Sequence, residues 1–253
     1  MKILMLLVLA GMSTQAMAST QASRRTTQNY LTIRSVEYKD LTNEYRLKDS
    51  HQLTAIQSIA PTAKILPAGL GSISAAINTM AVDQAELIVD KIINIGQKIW
   101  TVVDKGRPVQ NFQNSVASAL PANANSWTDL ISWKQPESRV IGISCKNLYG
   151  AEVVHFVYRI ILLSGGTVNG VGNYIGYAAV EPVEMTTSYM YTFNSQAVVV
   201  NIFNKGTHQN PLAGMILTVR WSIETVLKKS VGSETFFLDG TGNIDVAEKT
   251  SLK

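Results

Sequence analysis

Hydrophobic and polar positions divide this chain into stretches of different rhythm. The first is a short apolar run, Ile3–Leu9, preceded by Lys2 and followed by the small-x-small site Ala16-Met17-Ala18. It is too short to cross a bilayer, so residues 1–18 read as a cleaved secretory signal peptide. Residues 19–64 follow as a polar arm. Its first part, 19–29, has no apolar periodicity, and Leu31, Ile33, Val36 and Tyr38 predict one or two short strands.

Residues 65–106 form the next unit. From Ile65 to Val82 the chain carries no charge and is rich in Gly, Ala and Ser. Asp83 and Glu86 then stand in a capping-box spacing, and Ile88, Ile92, Ile95, Ile99 and Val102 recur at intervals of four and three. Trp100 widens the stripe, and Asp90, Lys91, Asn94, Gln97 and Lys98 fill the other side. The pattern predicts one long amphipathic helix over 83–105, stopped by Gly106 and Pro108. Ile88, Ile92, Ile95, Ile99 and Trp100 would be its membrane or partner face.

After Pro108 the period shortens to two. Leu217, Val219, Trp221 and Ile223 alternate with Thr218, Arg220, Ser222 and Glu224, which predicts a strand with one dry face. Val153–Leu163 is more uniformly apolar and reads as a central strand, paired with Val171–Val180. With strands over Tyr189–Phe203 and Thr235–Val246, about seven strands are expected across 109–247. The fold class is therefore α+β: a C-terminal antiparallel β-sandwich at 109–247, a long helix packed on it, and a short N-terminal β-containing arm. Residues 248–253 read as a polar tail.

Composition narrows the chemistry. The chain is 46% apolar and 16% charged, which suits a packed core, and its formal charge of +4 falls to +3 without Lys2. Lys and Arg are scattered, so no basic footprint for nucleic acid exists. The one cysteine, Cys145, excludes an internal disulfide and lies in a strand-like run, as a buried thiol would. The absence of a cysteine after the apolar run argues against a lipid anchor.

Candidate reactive groups are sparse. His51, His155 and His208 occur in no metal-binding spacing, so neither a metal nor a cofactor is expected. Gly170-Val-Gly172-Asn-Tyr-Ile-Gly176 has its third glycine one position late for a dinucleotide loop and reads as a hairpin. Asp239-Gly-Thr-Gly-Asn243-Ile-Asp245 offers oxygen ligands but departs from the calcium-loop pattern, and reads as a β-turn. Trp127, Trp133, Tyr174 and Tyr177 are candidate ligand-binding aromatics, accompanied by Tyr149, Tyr189 and Tyr191 near strand ends. Trp127 and Trp133 lie in an otherwise polar stretch and are expected to be the most exposed pair.

The layout of a small-residue segment and amphipathic helix before a tyrosine-rich β-sandwich resembles that of actinoporin-type pore-formers. The resemblance covers layout alone and implies membrane insertion through residues 65–105. The leading expectation is instead an exported, periplasmic or secreted, non-catalytic protein. Its partner would be an envelope or extracellular protein, a glycan or a lipid surface, with a homo-oligomer among the options. A pore-former is the alternative, and a secreted hydrolase with a triad assembled in space comes third.

Overall fold

The structure, a computed structural model, describes residues 21–46, 87–109 and 115–250. Two six-stranded sheets face one another. The first runs β1 (Ile33–Asp40), β6 (Glu137–Asn147), β7 (Glu152–Val168), β8 (Val171–Thr187), β5 (Val116–Ala122) and β2 (Ile88–Ile93). The second runs β12 (Ile244–Thr250), β11 (Lys229–Asp239), β10 (Ala213–Glu224), β9 (Thr192–Asn204), β3 (Ile99–Asp104) and β4 (Arg107–Pro108). The pairings within both sheets are antiparallel.

The core lies between the sheets and is built by alternation. Leu217, Val219, Trp221 and Ile223 are buried on β10 while Arg220 is exposed. Phe156 and Tyr158 from β7 meet Phe193, Trp221 and Phe236 from the second sheet, with neighbouring ring centroids 5.0–6.4 Å apart. Each such ring contributes about 1.5–3 kcal/mol by burial and ~0.5–1.5 kcal/mol more per aromatic pair. β7 is buried on both faces over most of its length, which explains its near-continuous apolar sequence. Cys145 is fully buried on β6, and burial pushes its thiol up to about 12.

The long helix is not formed over its described part. Residues 88–93 and 99–104 are strands in different sheets; residues 83–86, with the cap, and residues 65–82 lie outside the described residues. Eight of the sixteen residues from Ile88 to Val103 are Ile or Val, whose stiff side chains lose freedom in a helix and suit a pleated sheet. Gly96 breaks the run at φ +121°, and a β-carbon there would lie 2.6 Å from the Val116 carbonyl oxygen. The isoleucine spacing does not mark one face either: Ile88 and Ile99 are exposed, whereas Trp100 is buried. Gly106 is left-handed as expected of a stop, but with Lys105 (φ 48°) it forms the two-residue turn between β3 and β4.

Two short α-helices and a 3-10 turn at Trp127–Asp129 complete the described chain. Residues 21–31 form α1 where an irregular arm was expected, and residues 42–46 form α2. α1 lacks an apolar stripe because only its last turn is anchored, by buried Leu31 and half-buried Tyr30. α2 lays Tyr45 over Val140 and Val157 on the outer face of the first sheet.

Candidate functional site

The aromatic residues singled out in the sequence are mostly structural in placement. Trp127 and Trp133 are half-buried, meet edge-to-face at 6.2 Å, and pack against the core. Trp133 Nε1 donates to the Trp127 carbonyl at 3.2 Å, and its ring lies against Gly166 and Gly176. Tyr174 is fully buried and donates its hydroxyl to the Val89 carbonyl at 2.6 Å; burial, then the Asp90 charge, raises its pKa. Tyr177 is half-buried, with its hydroxyl pKa raised by burial and by Glu181. Ile92 and Ile95 are half-buried against the core.

The polar candidates are accounted for by local bonds. His155 Nδ1 lies 3.0 Å from Glu152 Oε1 on the open face of the first sheet, and His208 Nδ1 lies 2.9 Å from Asp90 Oδ2. Among the described residues, neither imidazole is hydrogen-bonded to a serine or cysteine, and no group of three metal-ligating side chains occurs. Asp239 is buried, and its carboxylate accepts bonds from Thr241, Asn243 and Lys205. Burial alone would raise its pKa, but those donors outweigh it and hold the group at about 2. The Lys205 ammonium lies 3.0 Å from Asp239 Oδ2 and balances its charge. A groove of about 510 Å³ lined by Thr101, Val103, Asp104, Val109, Asn194 and Gln196 holds no histidine.

What the sequence left unmarked is one end of the sandwich. Strand register brings the β6–β7, β8–β9 and β10–β11 turns to this end: Val154 pairs with Thr187, and Thr192 pairs with Glu224. Each turn carries two adjacent bulky apolar residues at its tip, Leu148-Tyr149, Tyr189-Met190 and Val226-Leu227. These are six of the thirteen large exposed hydrophobic side chains among the described residues, including the two most exposed of them, Tyr189 at 85% and Val226 at 75%. Scattered apolar residues on a surface need no explanation, but a concentration at one end does.

The turns are held so that these side chains project. Buried Asn147 accepts the backbone N–H groups of Tyr149 and Ala151. Thr225 Oγ1 accepts from the N–H groups of Leu227 and Lys228 and donates to the Lys228 carbonyl. A hydroxyl or amide that satisfies its own turn frees the tip from packing duties. Met190 is held at φ +70°, a left-handed conformation uncommon outside glycine and asparagine. α1 braces the same end: Tyr191 donates to the Tyr30 carbonyl, Tyr30 to the Tyr189 carbonyl, and Tyr149 to the Thr26 carbonyl.

Charge at this end is mainly positive. Arg24 and Arg25 on α1, Lys105 and Arg107 at the β3–β4 turn, and Lys228 are all exposed. Against these five cations stand exposed Asp104 in the same β3–β4 turn, Glu224, which is paired with Lys229, and Glu152, which is hydrogen-bonded to His155. The class so defined is a two-sheet antiparallel β-sandwich with apolar, cation-flanked turns at one end. No protein-family model, curated protein or solved structure matches the chain.

Proposed function

We propose that this is an exported, non-catalytic binding protein that attaches to a component of the cell envelope or the extracellular surface. Export rests on residues 1–18, which lie outside the described residues. The observation that carries the binding reading is the concentration of exposed apolar side chains on three turns at one end. It replaces the Trp127–Trp133 pair as the contact surface, because those rings are engaged with Gly166, Gly176 and each other.

Sedimentation with a whole envelope fraction tests the reading. The native chain should co-sediment, and a Tyr189→Ser/Val226→Ser/Leu227→Ser variant should stay in solution with unchanged circular dichroism. A native chain that stays in solution with every envelope preparation would overturn it. The alternative, a pore-former using residues 65–105, relied on an amphipathic helix at 83–105, and residues 88–93 and 99–104 of that stretch are strands.

A further inference from the structure

We infer that the partner at this end is the surface of an anionic phospholipid bilayer, engaged at the headgroup level without spanning it; this rests on the binding reading above. Three features favour lipid over glycan. The apolar pairs sit on turn tips, the parts of a sandwich that project furthest, whereas small ligands and sugars are held in concave sites. The tips mix tyrosine with aliphatic Leu, Met and Val. Tyrosine suits the bilayer interface, where its ring is apolar and its hydroxyl wet, and the aliphatic chains suit the acyl boundary beneath. Sugars offer hydroxyl groups that Val226, Leu227 and Met190 cannot bond.

Charge supplies the third feature. Arg24, Arg25, Lys105, Arg107 and Lys228 flank the tips, and anionic headgroups attract such cations over about a Debye length. No helix among the described residues is long and apolar enough to cross a membrane. Because the apolar pairs are confined to the turn tips, the contact is peripheral: the tips dip into the headgroup layer while both sheets stay outside it.

Vesicle sedimentation tests this. Vesicles of equal parts phosphatidylglycerol and phosphatidylcholine should pellet the protein, pure phosphatidylcholine should pellet far less, and high salt should release it. Tyr189→Ser/Val226→Ser/Leu227→Ser should weaken partitioning by at least about tenfold, and Arg107→Ala or Lys228→Ala by about fivefold each. Ile131→Ser/Val171→Ser, at the opposite end, should leave it unchanged. Equal losses in the tip and opposite-end variants, or no binding to anionic vesicles, would overturn the inference. Binding to delipidated envelope but not to vesicles would leave the binding reading standing and sink the lipid one. Binding to neither would sink both.

Discussion

Tyr158 on β7 donates its phenolic hydrogen to Glu234 Oε2 on β11 at 2.5 Å, joining the two sheets through a pair with no solvent exposure. Lys249 on β12 lies 3.5 Å from the other carboxylate oxygen. A buried carboxylate is tolerated only while such partners hold it. Tyr158→Phe should therefore cost about 1–3 kcal/mol at neutral pH. The loss should shrink in acid, where Glu234 takes up a proton. Urea titrations at neutral and acidic pH check both, and equal losses would show that the Glu234 charge is not what the hydroxyl stabilises.

Asp239 and Glu234 bend the stability curve in opposite directions. Asp239 is held near 2, below its ordinary 3.8, so its contribution of about 2 kcal/mol is full above about pH 4 and is lost as the pH falls toward 2. Burial raises Glu234 above its ordinary 4.5 despite the Tyr158 and Lys249 contacts. Its contribution is full below that value and is lost as the pH rises through the folded pKa. Asp239→Asn should flatten the acid limb and Glu234→Gln the limb above it, as read by thermal unfolding across the pH range.

Gly232 lies opposite Trp221 in the β10–β11 ladder, and a β-carbon there would fall 2.2 Å from the indole. Gly232→Ala should displace the ring and cost about 1–3 kcal/mol. The change should register in Trp fluorescence and near-ultraviolet circular dichroism. An unaltered spectrum with full stability would mean that the indole has room the packing does not show.

Trp133 closes over Gly166 and Gly176, so its role is packing. Trp133→Ala should lower stability by about 2–4 kcal/mol, less than for a fully buried tryptophan. Envelope binding by the folded fraction should be unchanged. Lost binding at native stability would return the Trp127–Trp133 pair to the contact surface.

The sequence displayed strands where one face is dry and the other wet, or where a strand is buried on both faces. β10 announced itself by alternation and β7 by continuous apolarity. β2 and β3 were hidden because spacings of four and three among Ile88, Ile92, Ile95, Ile99 and Val102 fit a helix as a geometric pattern. Their β-branched content and Gly96 were the contrary signals. α1 was hidden because a helix docked by one turn needs no stripe.

The end that carries the three apolar turns was legible only in fragments. Tyr149 and Tyr189 stood out as aromatics near strand ends. Which turns share an end depends on strand order, and strand order is not encoded by the residues of any one turn.

The turn carrying Tyr189 has a mechanical consequence. It takes the chain from β8 in one sheet to β9 in the other, and neither strand is an edge: β8 lies between β7 and β5, and β9 between β10 and β3. A pull on Tyr189 along the sandwich therefore enters both sheets at once, as shear along the long β7–β8 and β9–β10 ladders. Shear strains many hydrogen bonds together, whereas peeling an edge strand breaks them one at a time. The most exposed tyrosine is thus rooted in two interior strands instead of at an edge that could peel.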